Sequence, residues 1–108
     1  MSEVKDFLYP FFKNSLTLEE FRIPGSLNRI DIICISKRIA IEVSPDKVHK
    51  EFNPFFHKNR IGYGKKIMAD MEKANWCARN DLVLIELDDE DINNLSHKYI
   101  EIKFGVTL

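Results

Sequence analysis

The stretch that most restricts the fold is Arg29–Val43, RIDIICISKRIAIEV, where two β-branched runs meet at Ser36-Lys37. Alternating runs on either side of so short a break predict an antiparallel hairpin, with strands at 29–35 and 38–43 and a two-residue turn between them. A period of two puts Arg29, Asp31 and Ile33 on one face of the first strand and Ile30, Ile32 and Cys34 on the other. In the second strand, Ile39, Ile41 and Val43 oppose Arg38, Ala40 and Glu42. Each run therefore carries one acid near a strand end, and the hairpin can bring Asp31 and Glu42 to a common point.

The flanking segments complete a mixed order. Val4, Phe7, Leu8, Phe11 and Phe12 fall at helical spacing, so 2–15 reads as a helix with Ser2 as N-cap and Pro10 as a kink or early stop. LTLEEFRI (16–23) reads as a strand ended by Pro24-Gly25. After Pro45, residues to about Arg60 form a loop or short helix. The main helix follows over GYGKKIMADMEKANWCAR, with Ile67, Met68, Met71 and Trp76 as its apolar side and Asn80 as a left-handed stop. LVLIEL (82–87) has the continuous apolar character of a strand covered on both faces. The acids at 86–91 form a solvated cap, those at 88–91 opening a short helix, and YIEIKF (99–104) alternates like a final edge strand. The order is α-β-β-β-α-β-α-β, an α/β (α+β) class with a mixed central sheet flanked by helices. The 38–43 strand and the 82–87 strand are joined through a helix, which favours a parallel crossover.

At 108 residues the chain reads as one domain, 1–108, large enough for a core without staples. A net charge of -1 gives no global attraction to polyanions. Locally, Lys47, Lys50, Lys58, Arg60, Lys65 and Lys66 gather in one segment, far from the acids of 86–91. Cys34 and Cys77 lie in apolar segments without CxxC spacing and read as buried thiols of a reducing compartment. The acidic, proline-interrupted start is unlike a signal peptide, and no apolar run is long enough to span a bilayer. These features lead us to expect a cytoplasmic protein with no membrane partner.

Two neighbouring carboxylates repel, at a cost of several kcal/mol where the dielectric is low, unless a cation lies between them. A pair of acids with an adjacent main-chain carbonyl is a donor set that Mg²⁺ or Mn²⁺ takes together with waters and phosphate oxygens. The plainer alternative is that each acid faces water or pairs with Arg29 or Arg38 in a weak surface bridge.

Asp31, ten residues, then Glu42-Val43-Ser44 on a hairpin after a helix and strand resembles the core of the PD-(D/E)xK nuclease superfamily. The resemblance implies a restriction-endonuclease-like fold and a metal-dependent DNA endonuclease in which Asp31, Glu42 and the Val43 carbonyl hold Mg²⁺ or Mn²⁺. Ser44 departs from the pattern, because the family expects a lysine there that serves the attacking water. IEVSPDKVH resembles the very-short-patch-repair-like branch, which includes catalytic domains of phage homing endonucleases and replaces that lysine by a histidine beyond the strand. His49 holds that place, with a role in proton transfer or in holding water; its alternative is an exposed loop histidine. The branch's first-helix glutamate has a candidate in Glu3, with Glu20 as rival. The resemblance covers about residues 3–87.

FNPFFHKNRIGYGKK interleaves aromatics with cations, the pattern of a nucleic-acid surface. Lys47, Lys58, Arg60, Lys65 and Lys66 are its DNA-contacting candidates, and Lys65 or Lys66 is also placed to restore the charge missing at Ser44. Phe55, Phe56 and Tyr63 read better as core. A zinc site from His49, His57 and Cys77 fits no usual spacing. The expected partner is DNA, with a homodimer as one route to cutting both strands; the alternative is a nuclease fold that binds without chemistry.

Overall fold

The computed structural model describes residues 2–43 and 60–108, with side chains described at 2–43 and 67–108. Its elements are α1 (Ser2–Phe12), β1 (Thr17–Arg22), β2 (Arg29–Cys34), β3 (Ile39–Val43), α2 (Arg60–Arg79), β4 (Val83–Leu87), α3 (Asp89–Asn93) and α4 (His97–Phe104). The expected loop at 44–60 lies almost wholly outside the described residues. The sheet order is β1-β2-β3-β4, antiparallel from β1 to β3, with β4 added parallel to β3 after the α2 crossover.

The hairpin register follows from its turn. Arg38 N–H donates to the Ile35 carbonyl at 3.2 Å, which centres the turn on Ser36-Lys37. Arg38 takes the left-handed conformation (φ 60°), so the ladder begins one step further in, with Cys34 opposite Ile39.

Two apolar layers cover the sheet. One holds Ile32, Cys34, Ile39, Ile41, Ile85 and Leu87 against Val4, Leu8 and Phe12 of α1 and Ile100 of α4. The α1 residues stand four apart and form one stripe, while Pro10 sits on the exposed side. The other layer holds Ile23, Ile30, Ile33 and Ala40 against Cys77, with Trp76 packed beside them. Phe21 and Ile30, paired across β1 and β2, join this second layer although strict alternation from Leu18 and Ile33 sends them to the other. Glu20 stands at that break with φ 50°, so the edge strand bends there.

Several expectations need correcting. Residues 99–104 form the body of α4 and not a strand, giving α-β-β-β-α-β-α-α. The Ser96 hydroxyl caps the Tyr99 amide at 3.0 Å, and Gly105 closes the helix in the left-handed region at φ 68°. These two caps enclose eight residues, and helical geometry buries Ile100 while leaving Ile102 in solvent. Met68 and Met71 are 71% and 59% exposed and belong to no core, because Lys73, Trp76 and Cys77 form the face of α2 turned inward. The left-handed stop of α2 falls on Asp81 (φ 56°), one residue past Asn80. Leu82 N–H reaches the Cys77 carbonyl at 2.8 Å and Asp81 N–H reaches Ala78 at 3.3 Å, the paired bonds of a Schellman ending.

The acids after β4 open α3 as expected, but they are not all solvated. Asp88 and Asp91 exchange side-chain and main-chain bonds at 3.0 Å in a capping box. Asp91 is fully buried, accepts from Tyr99 Oη at 2.7 Å and pairs with Lys103, which binds α4 to α3.

Candidate metal and phosphodiester site

The last β2–β3 ladder pair is Ile32 with Ile41, although the same register carries on to Asp31 opposite Glu42. Beyond that rung, side chains take over the bonding. Val43 N–H donates to Asp31 Oδ2 at 2.8 Å, and Asp31 N–H donates to Glu42 Oε1 at 3.2 Å. The two acids therefore satisfy main-chain amides where the strands leave their ladder, which accounts for their place inside apolar runs. On its other side β3 stays paired to β4, with Glu42 beside Glu86 and Val43 beside Leu87.

The cation that meets this pair is Lys73, from the inward face of α2. Its Nζ lies 3.1 Å from Glu42 Oε2, and both side chains are only 13% exposed. Arg38 turns instead to the Asn80 carbonyl at 3.4 Å. Burial raises the Glu42 pKa above its ordinary value and the Asp31 charge raises it further, while Lys73 and the Asp31 amide pull it back. The net upward direction means that one ammonium does not fully offset two acids and their desolvation. Burial, then the Glu42 charge, also pushes the Cys77 thiol up and keeps it protonated.

The sequence-expected residues divide into three groups. Asp31, Glu42 and Val43 are brought together. Glu3 is exposed at the start of α1, on the sheet's other side, and Glu20 lies across from Asp31 by register but is exposed on the bent edge. Among the described residues, no three His, Cys, Asp or Glu side chains converge to hold a metal ion. Lys47, His49 and Lys58 lie outside the described residues; Arg60, Lys65 and Lys66 lie on α2, where their side chains are not described. Reasoning from sequence missed Lys73. Its signal was helical phase, since 73, 76 and 77 share one face of α2.

A pair of acids, rather than a cage, suits Mg²⁺, which commonly uses one or two carboxylates and fills its sphere with waters and phosphate oxygens. The feature here that bears on a further cation is geometric: two carboxylates tied to adjacent strand amides, with Lys73 3.1 Å from Glu42. No helix among the described residues is long and apolar enough to cross a membrane.

No family model and no solved structure matches the chain. Among curated proteins it is similar to Uncharacterized protein 033L of Invertebrate iridescent virus 3, at 34% identity over 67 residues, 61% of this chain. The chain spans about a third (34%) of that protein's length.

Proposed function

We propose that this chain is a metal-dependent DNA endonuclease domain of the PD-(D/E)xK type. What supports the reading is the site where β2 and β3 leave their ladder: two carboxylates joined through each other's strand amides, with one part-buried lysine bonded to Glu42. Asp31, Glu42 and the Val43 carbonyl would hold Mg²⁺ or Mn²⁺, which when bound supplies charge neutralisation at the phosphodiester and a more acidic water. The strand amides fix both carboxylates, so little ordering is left for the moment of reaction. Lys73 supplies the positive charge that Ser44 does not. One of its donors is engaged by Glu42, and the others can orient a water or a phosphate oxygen. His49 is the candidate for passing a proton to the leaving oxygen. Two copies acting together would supply cuts in both strands.

The decisive test combines metal titration with nicking of supercoiled plasmid. Wild type should bind Mn²⁺ and nick DNA, and Asp31→Ala should lose both while still retaining DNA on a filter. A second reading, a binding module without chemistry, is favoured by the same closed network, since Lys73 and two amides already occupy the acids. Wild type that retains DNA but never nicks it at any Mg²⁺ or Mn²⁺ concentration would decide for the module.

A further inference from the structure

The nuclease reading leaves open what holds the phosphate backbone. Register pairs Arg22 directly with Arg29 across β1 and β2, and both are exposed. Like charges set opposite each other in an antiparallel ladder weaken it, so this doublet carries a cost that no described carboxylate offsets. Among the described residues, neither guanidinium has a carboxylate within ion-pair reach. Arg22 is anchored through Nε, which donates to the Ser26 carbonyl at 2.9 Å, and its remaining donors meet no described partner.

The loop between the two arginines is held in one shape. Ile23 N–H bonds the Asn28 carbonyl at 2.9 Å, and Asn28 N–H bonds Ser26 Oγ at 3.0 Å. Glu72 of α2 then accepts from Ser26 Oγ and from Asn28 Nδ2, the latter at 2.7 Å. These bonds lower the Glu72 pKa and direct its charge to the loop, not to the arginines. Arg29 precedes Asp31 by two residues on the same strand, a separation of about 7 Å. A braced, doubly cationic hairpin end thus precedes Asp31 on the same strand, with Arg29 on the sheet face opposite Ile30 and the layer under α2.

We propose that Arg22 and Arg29 form a preorganised clamp for consecutive phosphates of a nucleic-acid backbone. The choice of nucleic acid as partner rests on the nuclease reading; the clamp itself rests on the charge doublet and its brace. Guanidinium forks match phosphate oxygens in two-point contact, and both can be used without moving the loop.

The test measures binding of the full chain to a fluorescein-labelled DNA duplex by anisotropy over a range of NaCl concentrations, in EDTA so that no cleavage occurs. Each phosphate neutralised contributes about 0.9 to the magnitude of the log–log salt slope. The Arg22→Gln/Arg29→Gln pair should lower that magnitude by about two, the Arg22→Lys/Arg29→Lys pair should restore most of it, and Lys98→Gln on α4 should leave it unchanged. Thermal melting followed at Trp76 checks that each variant is folded. An unchanged slope in the glutamine pair overturns the clamp, and so does wild type with no salt-dependent binding. Loss of binding to labelled polyglutamate but not to duplex would assign the arginines to an acidic protein partner and also overturn it. Plasmid nicking by wild type against Asp31→Ala is scored separately, so the clamp and the catalytic reading can fail independently.

Discussion

Replacing Lys73 by Met keeps most of the side chain's apolar stem and removes only its charge, so it isolates the electrostatics of the acid pair. Opposite unit charges 3.1 Å apart attract by about 5 kcal/mol at an effective dielectric of ~20, much of which desolvation offsets. Deleting the cation leaves Glu42 part-buried beside Asp31 without a partner charge, and a net loss of about 2–3 kcal/mol is expected at neutral pH. Glu42 can escape part of that loss by taking up a proton. Its folded pKa is already raised above 4.5 by burial and by Asp31, and without Lys73 it rises further. A carboxyl whose folded pKa exceeds its unfolded value favours folding at low pH, and that contribution disappears as pH climbs through the folded value. The penalty for Lys73→Met must therefore be smaller at pH 5 than at pH 8, with each unit of added shift worth about 1.4 kcal/mol. Urea unfolding followed by the fluorescence of the sole tryptophan, Trp76, measures both. Equal losses at the two pH values would refute the reasoning, leaving Lys73 as a packing residue. If the acids also hold Mg²⁺, a concentration of 100 times its dissociation constant should return about 2.7 kcal/mol.

Asp91 titrates in the opposite sense. Its pKa is lowered from 3.8 to about 2 by bonds from Lys103, the Asp88 amide and Tyr99 that outweigh its burial, so its contribution of about 2 kcal/mol is present above pH 4 and lost as pH falls toward 2. Asp91→Asn should remove that acid-side slope and lower stability at pH 7 by a similar amount, read by urea unfolding. Asp81→Gly relieves a left-handed residue at the end of α2 and should raise stability by up to about 1 kcal/mol in the same assay. Glu72→Ala should speed hydrogen exchange at the Ile23 and Ser26 amides of the braced loop while leaving β3 and β4 protected.

The parts of the fold written in period-two and period-3.6 patterns were legible. The Ser36-Lys37 turn fixes the hairpin register, and that register alone sets Asp31 across from Glu42. The α1 stripe and the parallel crossover were read in the same way. The end of the chain was not, because YIEIKF satisfies both periods and only the caps at Ser96 and Gly105 decide between them. On α2, Met68 and Met71 drew the eye by hydrophobicity, whereas the buried face contains a lysine. An ammonium turned inward makes sense only once a carboxylate on another element is known to meet it, and that is long-range information. Asp91 escaped for the same reason, since its burial depends on Tyr99 and Lys103 of a helix read as a strand.

The bend at Glu20 limits how two copies of this chain could join. A straight outer strand offers an unbroken row of amides and carbonyls onto which a second chain can zip. A left-handed residue in the middle of β1 interrupts that row, so continuing the sheet through this side would leave unmatched polar groups at the junction. Among the described elements, pairing of copies is then left to a helical surface or the β4 side, and the bend also discourages unwanted stacking of chains into fibrils.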